Sequence, residues 1–84
     1  MRLSDRDSAY LIDMASCCRD IVTITSKVSF EGFQSDKMRR LAIERLLETL
    51  GQAATHVSVA TRADFPSIDW VRIVGLRNKL AHDD

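Results

Sequence analysis

The chain has 84 residues, 12 Lys+Arg against 12 Asp+Glu, 45% hydrophobic residues, one Pro and three Gly, which describes one small domain with no net charge to draw it broadly to nucleic acid. No apolar run approaches the ~20 residues of a membrane span, the start at Met1 leads into no apolar signal core, and the only cysteines, Cys17 and Cys18, are neighbours that cannot close a useful loop, so a reducing cytoplasm is expected. A domain this short buries only about 60% of its unfolded surface and gains from a second subunit, so self-association is expected.

Tyr10, Met14, Cys17, Ile21, Ile24 and Val28 recur at alternating spacings of four and three, one face of a helix running from Ser4 to Val28. Ser4 followed by Asp7 offers a side-chain acceptor for the first amides and an acid near the positive helix end. The β-branched run Ile21–Thr25 leaves a strand reading open, with Val57–Val59 as its partner. Ser29 to Asp36 is a connector with a short helical turn around Phe30 and Phe33.

Ser35 or Asp36 caps a second long helix, in which Ile43, Leu46, Leu50, Ala53, Val57 and Ala60 repeat the alternation and Leu47 and Ala54 widen the stripe. Gly51 interrupts it at about 1 kcal/mol relative to Ala, which marks a place where another helix packs closely. Pro66 breaks the chain. A third helix follows, capped by Ser67 or Asp69, with Trp70, Ile73, Val74, Leu80 and Ala81 on its buried side. Three helices on short connections make an all-α up-down bundle.

Two charges fall on inward faces. Counting back from Tyr10 places Asp7 on the first stripe, and Arg77 sits between Ile73 and Leu80 on the third. Burying a charge costs several kcal/mol unless it is paired, so either Asp7 and Arg77 form a structural pair, or they snorkel at the bundle end, or a cleft needs a fixed cation. His82 lies about 140° around an ideal helix from Arg77, and Asn78 shares its face at i−4 and can orient it. A histidine at a helix C-terminus before Asp83 and Asp84 has its protonated form favoured, which suits acid or base work near neutral pH as well as a plain solvated end.

Other constellations carry less. The cysteines are adjacent and His56 has no ligand-like residue at i±3 or i±4, so no metal site is expected. His56 reads as a surface residue and Cys17 and Cys18 as core fillers. Lys37, Arg39, Arg40 and Arg45 form a basic face that either tracks phosphates or is simply solvated.

The string Trp70-Val71-Arg72-Ile73-Val74-Gly75-Leu76-Arg77-Asn78-Lys79-Leu80-Ala81-His82 resembles the signature of the HEPN superfamily, in its HepT-like branch: Arg, a polar residue, three positions and His. Arg6-Asp7 with Tyr10, Leu11, Asp13 and Met14 resembles that family's opening helix, and Ala42 to Ala54 its second. The resemblance implies an all-helical dimer and a metal-independent endoribonuclease without cofactor. It implies a toxin beside a minimal nucleotidyltransferase antitoxin. Arg77 and His82 would be the catalytic pair, with Asn78 and Asp7 in support, cutting RNA to a 2′,3′-cyclic phosphate. Three departures stand out: Asp84 where relatives carry a tyrosine that the transferase adenylylates, Gln52 where Glu is common after the glycine, and no further C-terminal helix. They keep two other readings open: a non-catalytic substrate-presenting or scaffold subunit of a nucleotidyltransferase, and a stand-alone helical dimer.

Overall fold

A computed structural model describes residues 3–82, with side chains described up to Lys79. Helix α1 spans Asp5–Thr25, α2 Phe30–Ser35, α3 Lys37–His56, α4 Val59–Ala63 and α5 Trp70–His82. No strand occurs among the described residues, so the Ile21–Thr25 run is helical and the strand reading is overturned. Helix α3 is the centre of the bundle, with α1 on one side and α5 on the other.

Each start is built by a short polar side chain accepting from the amide three residues on. Ser4 Oγ accepts from Asp7 N–H at 3.0 Å, Ser29 Oγ from Gly32 N–H at 3.0 Å and Asp36 Oδ1 from Arg39 N–H at 3.1 Å. Asp69 Oδ1 does the same for Arg72 N–H at 3.2 Å, so α3 and α5 begin from Asp36 and Asp69 among the expected caps.

Two ends fall earlier than the apolar spacing predicts. Helix α1 stops at Thr25 instead of Val28, because Lys27 takes a left-handed backbone with φ 64° and turns the chain. The second long helix is expected to reach Ala60, yet α3 ends at His56 and α4 begins after Ser58. The stripe survives only as far as Val57, which is buried, while Ala60 is exposed.

The core is Met14, Cys17, Leu50, Ala53, Ala54, Val57 and Trp70, flanked by Tyr10, Leu11, Leu46, Ile68, Ile73 and Val74. Small residues toward the C-terminal end of α3, Gly51, Ala53 and Ala54, let its neighbours approach. Trp70 is anchored at its polar end, its indole N–H donating to Phe65 O at 3.2 Å. At the opposite end Arg39 Nη1 donates to Ile24 O at 2.6 Å, tying the start of α3 to the end of α1.

Candidate active site

Helix α5 lays Trp70, Ile73 and Arg77 toward α3, and Gly51 is where the two backbones meet. A Cβ on Gly51 would stand 2.5 Å from Arg77 Cβ, 2.7 Å from Ile73 O and 2.8 Å from Arg77 N. The close packing expected at this glycine is therefore present, and its partner is the backbone that carries Arg77. Arg77 is half-buried, and its Nη1 donates to Asn78 Oδ1 at 3.0 Å, so the two polar residues of the motif orient one another. No ion pair among the described residues involves Arg77. The side chain of His82 lies outside the described residues, as do those of Leu80 and Ala81, and Asp83 and Asp84 lie outside altogether.

Asp7 is buried, as its place on the stripe implies, but the structural pair with Arg77 does not form. Its carboxylate instead spans the α3–α4 break: Oδ1 accepts from Ser58 N–H at 3.0 Å, and Oδ2 from Ser58 Oγ at 2.6 Å and from the Thr61 hydroxyl. The physical reason is the break itself. In a continuous helix the Ser58 amide would bond to Ala54 O; here that carbonyl accepts from Val57 N–H at 3.2 Å and from Arg62 Nη2 at 2.9 Å, and the freed Ser58 amide goes to Asp7. Arg62 also donates through Nη2 to Thr55 O at 3.2 Å and through Nε to Val57 O at 3.1 Å, so it closes the C-terminus of α3. Hydrogen bonds from the Ser58 hydroxyl, then the Thr61 hydroxyl and the Ser58 amide, hold the Asp7 carboxyl down to about 2, against its own desolvation.

Cys17 is buried and Cys18 exposed, and burial is the first cause that pushes the Cys17 thiol up, which fits a core filler and not a nucleophile. Cys18 is not the core filler expected of it. Of the expected basic face, Arg39 is withdrawn into its bonds to Asp36 and Ile24, leaving Lys37, Arg40 and Arg45 exposed. No group of three potential metal ligands occurs among the described residues, and no described helix is long and apolar enough to cross a membrane.

His56 is exposed, as expected, but it is stacked on Tyr10 with ring centroids 4.9 Å apart and planes 22° apart. The stack leaves no signal in the sequence, because 46 positions separate the two rings. Arg62 and the Ser58 cap carry little more signal: Ser58 is a favoured N-cap residue, but Thr61 stands where a capping box has Glu or Gln.

The family described as Ribonuclease HepT-like matches residues 14–83. Among curated relatives, "Putative RNase MJ1380" of Methanocaldococcus jannaschii is 36% identical over 81 residues, covering 95% of this chain and 74% of its own length. "Probable ribonuclease HepT" of Thermococcus cleftensis is 33% identical over 82 residues, covering 98% and 73%. "Putative RNase MJ0125" of Methanocaldococcus jannaschii is 32% identical over 74 residues, covering 88% of this chain and 64% of its own length. No solved structure gives a significant match.

Proposed function

Because the chain belongs to the HepT-like ribonuclease family, we propose that it is a metal-independent endoribonuclease whose catalytic pair is Arg77 and His82. The observation that carries this reading is the placement of Arg77. A half-buried guanidinium is set at a fixed height by the Gly51 crossing, is oriented by Asn78, and makes no ion pair among the described residues. Asp7, the acid that would have given it a structural role, is saturated by hydroxyl and amide donors elsewhere.

The chemistry follows from those residue types. A ribose 2′-oxygen attacks the adjacent phosphorus, the O2′–P bond forms and the P–O5′ bond breaks. The proton of the 2′-hydroxyl passes to an imidazole, and a proton is supplied to the departing 5′-oxygen. His82 is the residue for those transfers. Arg77 neutralises the crowded phosphorane oxygens with donors that the Gly51 contact and Asn78 hold in place. One chain brings one such histidine, so a homodimer that joins two motifs across one cleft supplies both acid and base. In this reading the protein acts in the cytoplasm as a toxin, with RNA as substrate and a minimal nucleotidyltransferase as its antitoxin.

The test is cleavage of a single-stranded RNA by purified protein in EDTA. Activity is expected, with loss in both His82→Ala and Arg77→Ala at unchanged far-UV circular dichroism. Activity that survives both substitutions would refute the site assignment. Growth arrest on expression, relieved by co-expression of a minimal nucleotidyltransferase, tests the toxin role.

A further inference from the structure

The Arg6, Tyr10 and His56 side chains have no task in the reaction above, yet they form one continuous array on the α1–α3 seam. Arg6 Cζ lies 5.9 Å from the Tyr10 ring centroid, and Tyr10 stacks on His56 at 4.9 Å. Two open depressions meet at His56. One is lined by Ser4, Arg6, Thr55, His56, Ser58 and Arg62, and the other by Tyr10, Asp13, Thr49, Gln52 and His56. The first also contains Asp7, but its carboxylate is occupied by Ser58 and Thr61, and the second carries the exposed Asp13. Arg6 makes no ion pair with any described residue.

The Ser4, Thr55 and Ser58 hydroxyls and the Arg62 guanidinium are already engaged within the fold, which leaves the exposed Arg6 guanidinium beside the exposed face of the Tyr10–His56 stack. Together these fit one class of ligand, a nucleotide, with its base on an aromatic plane and its phosphate on an arginine. We propose that this seam is a binding site for a nucleotide of single-stranded RNA. The base stacks on the exposed imidazole of His56, extending the Tyr10–His56 stack, and the phosphate lies against Arg6. Thr49 and His56 are about 140–160° around α3 from Gly51, so the seam is on the far side of α3 from Arg77. It therefore holds RNA beside the cut and not at it. The choice of RNA as ligand rests on the ribonuclease reading.

The experiment is fluorescence anisotropy of a labelled single-stranded 2′-O-methyl RNA, which lacks the attacking hydroxyl and cannot be cut, titrated with the full chain at low salt. His56→Ala and Arg6→Ala are each expected to weaken binding about tenfold, while His56→Phe, which keeps a stacking plane, binds like the parent. Arg40→Ala removes the same charge from the exposed basic face of α3 and is expected to leave binding nearly unchanged. The inference is overturned if the RNA does not bind, if His56→Ala and Arg6→Ala bind like the parent while their circular dichroism is unchanged, or if Arg40→Ala loses as much as Arg6→Ala. Cleavage that depends on Arg77 and His82 is a separate measurement on cuttable RNA. The ribonuclease reading can thus fail while the binding site stands, and the reverse.

Discussion

Gly51→Ala separates the structural and the catalytic consequences of the α3–α5 crossing. The added Cβ would meet Arg77 Cβ at 2.5 Å, Ile73 O at 2.7 Å and Arg77 N at 2.8 Å, against an ordinary carbon–carbon separation of about 3.5–4.0 Å. Two of the three atoms are backbone, so no change of rotamer relieves the clash and α5 must retreat by about 1 Å. Overpacking of this kind costs roughly 1–3 kcal/mol, while Ala in place of Gly in a helix interior returns about 1 kcal/mol. The net loss is ~0–2 kcal/mol, or a fall in Tm of no more than roughly 15 °C for a domain of this size. The effect on cleavage is expected to be larger, because a ~1 Å misplacement of a catalytic group can cost about a hundredfold. Gly75→Ala is the matched control. It sits in the same helix with nothing within 4 Å of its added Cβ, so it is expected to gain about 1 kcal/mol and keep full activity. Thermal melts and single-turnover cleavage on the same preparations measure both quantities. If Gly51→Ala is as stabilised as Gly75→Ala and cuts RNA normally, this crossing does not position Arg77.

Three further outcomes follow from the same contacts. The Asp7 carboxyl sits at about 2 when folded, against 3.8 ordinarily. Its contribution to stability is therefore complete above about pH 4 and lost as pH falls through about 2; urea midpoints should drop over that window in the parent and less steeply in Asp7→Ala. Arg62→Ala leaves the carbonyls of Ala54, Thr55 and Val57 without this donor and is expected to cost about 2 kcal/mol, read as a lower urea midpoint, with Arg62→Lys recovering little of it. Iodoacetamide on the native protein should alkylate exposed Cys18 and spare buried Cys17 until denaturant is added, with the modified residue identified by peptide mass.

Much of the fold is legible because it is written locally. Ser4 and the four-three spacing place α1, the short turn at Phe30 is marked by its own cap, and Gly51 is a helix-interior glycine whose only benefit is close packing. The misread ends have tertiary or unusual local causes. Lys27 ends α1 with a left-handed backbone that lysine seldom adopts. Val57 keeps the apolar rhythm while the next amide is captured by Asp7, 51 positions earlier.

The same cause divides the site. That Asp7 points inward is readable from its position on the stripe, but its partners are hydroxyls created by a helix break that spacing does not show, so the pair with Arg77 is the natural expectation and the wrong one. Arg77 and Asn78 are legible as a motif, but Asn78 is expected to orient His82, and among the described residues its side chain instead accepts from Arg77. His56 hides because its stacking partner is remote in the chain, and a lone exposed histidine carries no periodic signal.

The proposed reaction, attack of the RNA's own 2′-oxygen at a site built on Arg77 and His82, leaves its signature on the fragment ends. Mass spectrometry of the fragments made in EDTA measures this most directly. Expected are 2′,3′-cyclic phosphate at the new 3′ end and hydroxyl at the new 5′ end, with neither fragment formed by His82→Ala or from RNA carrying a 2′-deoxy sugar at the cut position. Fragments ending in 3′-hydroxyl and 5′-phosphate, or cleavage of the 2′-deoxy position, would contradict it.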